Sequence, residues 1–157
     1  MEAPKSAVTG NSTDQFHDQR DLQSRLSDIA QIPIWIGQLA LRYNIPEDLQ
    51  FAMDLCLEEA LSNIIIYGYL REEGHPLTVR FATPRDGCFV FEVEDEAPLF
   101  NPLEAPELPP LGPDREMRIG GQGIRLLRRF AHKLAYEPTT RGNLLRIEFL
   151  QNGEVSS

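Results

Sequence analysis

Residues 46–68 read PEDLQFAMDLCLEEALSNIIIYG, and the fold follows from how this stretch is read. Pro46 suits a first helical turn, Glu47 and Asp48 suit the positive end of the helix dipole, and Gly68 stands just past the expected last residue, Ile66. At about 100° per residue, Leu49, Met53, Cys56, Leu57, Ala60 and Ile64 share one apolar face. Asn63 falls on the edge of that face and Glu59 lies one turn before it, so a carboxylate and an amide point together from a partly buried edge. An unpaired buried amide costs about 1–3 kcal/mol and a carboxylate more. Either Glu59 reaches solvent while Asn63 bonds nearby backbone, or the pair serves a ligand; taken alone, the pair leaves both open.

On the upstream side, Ile29 to Tyr43 carries apolar residues at helical intervals (Ile32, Ile36, Leu39, Ala40), and Pro33 places the start of this second helix near Gln31. With Trp35 on a neighbouring arc, its stripe suits either the core or a dimer face. A short alternation over Leu22–Leu26 predicts an edge strand, and residues 1–19 read as a flexible leader. Downstream, Leu77–Ala82 and Cys88–Glu94 predict a hairpin through Thr83-Pro-Arg-Asp-Gly87, whose residues are turn formers. Residues 96–119 hold six of the chain's twelve prolines and predict a long loop of the kind that serves as a mobile lid. A helix over Gln122–Ala131 and strands near Lys133–Glu137 and Leu144–Leu150 follow, with 151–157 as a tail. Hairpins and helices in separate blocks predict an α+β fold: a two-layer sandwich, mostly antiparallel sheet with helices on one face, over residues 20–150.

Composition narrows the function. The chain has 157 residues, 41% of them hydrophobic, the balance of a single globular domain. Its net charge of −9 opposes binding to nucleic acid or to an anionic membrane. No apolar run approaches the roughly 20 residues of a membrane span, and the N-terminus lacks a signal-peptide pattern, so a cytoplasmic location is expected. Cys56 and Cys88 sit in apolar runs and read as small buried hydrophobes.

Two more stretches carry chemistry. Val93-Glu-Asp95-Glu-Ala97-Pro-Leu-Phe100 ends an apolar strand on a carboxylate at the root of the long loop, as a strand-ending turn or a ligand contact would. Gly120-Gly121-Gln122-Gly123 precedes an apolar helix, where glycines allow close backbone approach and free N–H groups with the dipole suit phosphate; a plain hinge reads the same way. No Gly-Lys-Ser/Thr follows, which excludes a P-loop, and no buried strand feeds the glycines directly, which excludes the dinucleotide fingerprint.

Taken in order, Glu59-Ala-Leu-Ser-Asn63, Asp95-x-Ala-x-x-Phe, Gly120-Gly-x-Gly123 and Gly142-Asn-x-Leu resemble the ATP-binding boxes of the GHKL (Bergerat-fold) ATPases. The wording LEEALSNIIIYGY and IGGQGIRLLRRF is most similar to the anti-sigma-factor serine/threonine kinases, and the resemblance covers about residues 20–150. It implies that Asn63 coordinates a Mg²⁺ bridging the phosphates of ATP and that Glu59 is general base on the substrate hydroxyl. It implies further that Asp95 hydrogen-bonds the adenine amino group and that Gly120, Gly121 and Gly123 wrap the phosphates. Ala97, in the same box as Asp95, stands where the family usually has glycine and puts a methyl beside the nucleotide turn. Tyr67 replaces a frequent His, and Asn101 a frequent acidic residue.

The resemblance implies a kinase that phosphorylates a small STAS-type anti-anti-sigma protein, with a sigma factor as a further partner and a homodimer as its form. The alternative is a nucleotide-gated or nucleotide-free binding module without phosphotransfer, which Ala97 favours. A histidine kinase is disfavoured, because no long dimerisation helix carries a phospho-accepting His.

Overall fold

The computed structural model describes residues 15–104 and 119–151. The expected leader up to residue 14, the loop over 105–118 and the tail from 152 lie outside the described residues.

The hairpin organises the sheet. Strands β2 (Pro76–Arg85) and β3 (Cys88–Asp95) pair antiparallel down to Arg85 opposite Cys88, closing on Asp86-Gly87 with Gly87 at φ +79°, which glycine adopts without a Cβ penalty. Around them β1 (Asp18–Gln23), β4 (Lys133–Pro138) and β5 (Asn143–Leu150) complete a five-stranded antiparallel sheet in the order β1-β2-β3-β5-β4. Strand alternation sends Leu77, Val79 and Phe81, Phe89, Phe91 and Val93, and Leu145, Ile147 and Phe149 to one face, all buried. The other face carries ion pairs, among them Arg80 with Glu94 and Arg146 with Glu92.

Three helices cover the apolar face: α1 (Gln31–Tyr43), α2 (Glu47–Asn63) and α3 (Ile119–Phe130). Ile32, Trp35, Ile36 and Leu39 of α1 and Met53, Leu57 and Leu61 of α2 are at most 1% exposed and share one core with the strands. Each such side chain contributes about 1.5–3 kcal/mol by leaving water. This is the expected α+β sandwich.

Several boundaries differ from the sequence reading. The first strand runs over Asp18–Gln23 and not Leu22–Leu26, since backbone pairing to β2 holds it although Leu22 is its one buried apolar residue. Leu26 instead opens a 3₁₀ turn to Ala30, fixed by the Asp28 carboxylate, which accepts from the Gln23 N–H at 2.9 Å and pairs with Arg25. The α1 stripe with Trp35 is core and not surface; Trp35 meets Phe91 edge-on at 5.9 Å and donates its indole N–H to Asp18 at 3.1 Å. The exposed apolar residues of α1 are Ile34 and Leu41. Beyond Asn63 the chain continues through a π-helical turn, Ile64–Gly68, in which the Tyr69 N–H bonds the carbonyl of Ile64 at 2.8 Å. The third helix starts at Ile119 and not Gln122, so Gly120, Gly121 and Gly123 fall within its first turns. It ends at Phe130, with Ala131 still bonding back to Leu127.

Candidate functional site

Leu77, Asp95, Asn143 and Pro138 form the end row of the sheet, so Asp95 and Asn143 stand side by side toward the helix layer. The end of α2 faces them. Between the two lies a cleft lined by Ala60, Asn63, Ile64, Asp95, Phe100, Pro102, Leu127, Tyr136, Asn143 and Leu145, about 300 Å³ with its open mouth counted. Its enclosed part holds about one water, so a ring-sized ligand enters by parting the walls.

Asp95 is 4% exposed, and its Oδ1 accepts from the Ala97 N–H and from the Asn143 amide, both at 2.8 Å. Burial pushes its carboxyl above the usual range, while these two hydrogen bonds pull it back. Its other oxygen takes no bond from any described residue and remains an acceptor for a ligand donor.

Asn143 ties the base of the cleft together. Its Nδ2 donates to Asp95 and to the carbonyls of Ala97 and Pro98, and its Oδ1 accepts from the Phe100 N–H at 2.9 Å and the Tyr136 hydroxyl at 2.5 Å. The preceding Gly142 is required by space, since a Cβ there would stand 2.1 Å from the Asp95 carbonyl oxygen. The Tyr69 hydroxyl accepts from the Glu96 N–H and donates to the Pro76 carbonyl, both at 2.7 Å. Asn143, Tyr136 and Tyr69 had no role in the sequence reading; only the Gly142-Asn143 box pointed here.

Asn63 is 2% exposed, and no described residue bonds its Nδ2. One turn earlier Glu59 is half-buried, with Oε1 enclosed and equally without a partner. The expectation that Asn63 bonds nearby backbone is not met at its Nδ2, while Glu59 keeps part of its side chain in solvent. Burial, and then the charge of Glu58, push the Glu59 carboxyl upward. Unsatisfied buried polar atoms are rare in folded proteins, and α2 carries Asp54 Oδ1 besides Glu59 Oε1 and Asn63 Nδ2, of which the last two share one helix edge.

Of the expected site residues, Asn63 and Asp95 line one cleft, with Glu59 one turn from Asn63 on α2. The glycines open α3, which packs along α2 and closes the cleft with Leu127. Ala97 is 2% exposed and its methyl lies against Gly68.

Known proteins are similar to this chain in sequence and in fold. A family model described as the histidine kinase-like ATPase domain matches residues 22–149. The serine/threonine-protein kinase BtrW of Bordetella bronchiseptica is 30% identical over 104 residues, which cover 66% of this chain and 72% of BtrW. Among solved structures, the histidine kinase domain of the Erythrobacter litoralis EL346 blue-light activated histidine kinase is similar in fold, with a TM-score of 0.50 and 14% identity. That likeness covers 82% of this chain and 62% of the other, so the chain spans less than two thirds of that structure. With the match running from β1 to β5, the chain belongs to the histidine kinase-like ATPase domain family.

Proposed function

We propose that this chain is an ATP-dependent serine/threonine protein kinase of the anti-sigma-factor type, acting on a hydroxyl of a STAS-type anti-anti-sigma protein. The observation that carries the reading is a cleft between Asn63, whose buried Nδ2 has no partner, and the buried acceptor Asp95, with Glu59 and its unpartnered Oε1 one turn before Asn63 on α2. An acceptor at Asp95 selects an exocyclic amine, as adenine has. Magnesium prefers oxygen ligands and keeps several waters, so a single side-chain amide plus phosphate oxygens is an adequate set. Asn63 fits this need: its amide has no other bond to break, and turning over presents its oxygen to the cleft. When bound, the ion would neutralise charge on the transferring phosphoryl group.

The remaining work belongs to this chain's own residues. Glu59 would accept the proton of the attacking hydroxyl, and its raised carboxyl titration suits a base that works toward neutral pH. Gly120, Gly121 and Gly123 would bring backbone N–H groups at the start of α3 to the phosphates. The kinase name of BtrW supports phosphotransfer. Ala97 was the ground for a binding module without chemistry; its methyl lies against Gly68 and Ala97 is not among the residues lining the cleft, which weakens that ground. The same reading takes a sigma factor as second partner, a homodimer as the working form and the cytoplasm as the location; among the described residues no helix is long and apolar enough to cross a membrane.

The test is incubation with Mg-ATP and each STAS-type protein of the same organism, followed by phosphoserine and phosphothreonine detection. Transfer to one of them is expected. ATP binding without transfer to any would return the binding-module reading, and no ATP binding at millimolar nucleotide would end both.

A further inference from the structure

Gly68 closes the π-helical turn that follows Asn63, and its backbone gives no reason for glycine. Among the described glycines only Gly74 and Gly87 have positive φ, so an L-residue suits Gly68 conformationally. Space is the reason. A Cβ built on Gly68 would lie 3.2 Å from the Ala97 methyl, closer than side-chain carbons normally approach, while its next neighbour, Ile64 Cγ2, is at an ordinary 3.6 Å. Ala97 in turn belongs to the Asp95 turn, through its N–H to Asp95 Oδ1 at 2.8 Å and its carbonyl accepting from Asn143 at 3.3 Å. Beside it the Tyr69 hydroxyl holds the Glu96 N–H at 2.7 Å. The π-helical turn therefore grips the strand end at two adjacent points, and the chain runs without a break from Asn63 into that grip.

We propose that Gly68 and Ala97 are a size-matched pair, and that the turn bearing Gly68 and Tyr69 is the positioning element that sets the Asp95 carboxylate relative to Asn63 across the cleft. One methyl fits between the two backbones at ordinary contact distance, and a second is crowded at 3.2 Å. In this chain the one methyl stands on residue 97, and the vacancy on residue 68 accommodates it without moving Asp95. Neither Gly68 nor Tyr69 touches the cleft, so both act through the Glu96–Ala97 segment. The proposal rests on the nucleotide reading only for its ligand; the geometry it asserts is that of the protein alone.

Gly68→Ala puts a second methyl into the contact and is expected to push Ala97 by a few tenths of an ångström, stretching and weakening its N–H bond to Asp95. Carboxyl-carbon NMR of Asp95 without nucleotide should then show its titration moved upward, because that bond favours the ionised form. ATP affinity should fall about tenfold, the scale of coupling between touching residues. Adding Ala97→Gly to Gly68→Ala removes one methyl and should return both readings toward wild type. Gly37→Ala, a helical site whose added Cβ would meet only Gln50 at 3.7 Å, controls for glycine replacement as such and should leave Asp95 where it is. Tyr69→Phe, which removes the acceptor of the Glu96 N–H, should move Asp95 in the same direction as Gly68→Ala. An Asp95 titration indifferent to Gly68→Ala, or moved and not restored in the double variant, overturns the proposal whatever ATP does. A wild type that binds no ATP while the Asp95 titration follows the expected pattern overturns the nucleotide reading and leaves the positioning role standing.

Discussion

Glu59 and Glu58 are neighbours on α2, and the charge of Glu58 is the second cause, after burial, that holds the Glu59 carboxyl above its ordinary value. A general base works only when ionised, so transfer should fall as pH drops through that raised value, giving an acid limb above the ordinary carboxylate range. Glu58→Gln removes one cause, and the limb of the rate–pH profile is expected to move to lower pH; an unmoved limb would assign it to another group. Glu59→Gln should slow single-turnover transfer by about 10²–10⁴-fold while calorimetry finds ATP affinity within a few-fold of wild type. Wild-type transfer by this variant would require another base. At this scale Glu59, Asn63 and Asp95 were legible because polar residues on an apolar helix edge, or at the end of an apolar strand, conflict with their surroundings. Tyr136 and Tyr69 were not, since an aromatic at a strand or turn position is ordinary, and their hydroxyl bonds to Asn143 and Glu96 span chain separations that no local pattern reports.

The elements show where local patterns suffice and where pairing decides. The hairpin could be read from Pro84 and Asp86-Gly87, and α2 from its apolar face and acidic first turn, because each signal lies within a few residues of the structure it produces. Strand β1 could not, as DQRDLQ has one apolar residue and takes its register from β2. The start of α3 was misplaced because glycine disfavours a helix interior, by about 1 kcal/mol against alanine, yet three glycines lie in its opening turns. The turn into β5 has its own requirement: with the Asp95 oxygen 2.1 Å and the Glu96 Cα 2.6 Å from a Cβ on Gly142, both backbone atoms, no side chain can rotate away. Gly142→Ala should force β5 from β3 at the Asp95–Asn143 row and cost about 1–3 kcal/mol or more, read as a lower urea midpoint. An unchanged midpoint would mean that the row opens freely. Gly37→Ala should go the other way, gaining about 0.5–1 kcal/mol from helix propensity in the same assay.

For the whole molecule, α+β class was legible from the order of blocks, while which face each helix covers, and how the boxes meet, needed the sheet order. The assembled protein also buries acids. Asp54, Glu59 and Asp95 all titrate above their ordinary values, with burial the largest cause in each. The folded state thus holds these protons more tightly than the unfolded chain, so their contribution is full below the unfolded pKa and is lost as pH rises through the folded one. Asp18 runs oppositely: its carboxyl is lowered, against burial, by the bonds from Trp35 and Gln19 and the charges of Arg20 and Arg42, and its stabilisation persists until pH falls toward its unfolded value. The urea midpoint should therefore rise as pH is lowered toward the ordinary carboxylate range, with a smaller slope for Asp54→Asn; a midpoint that only falls on that approach would contradict the burial of these groups. The same Asp18 bond gives the chain a spectroscopic property. Trp35 is the single tryptophan, 1% exposed, set between Asp18, Arg20 and Phe91 and outside the cleft. Its emission is a gauge of the α1–sheet core, red-shifting when the layers part, and it should stay quiet while a ligand fills the cleft, so a shift in emission reports unfolding and not occupancy.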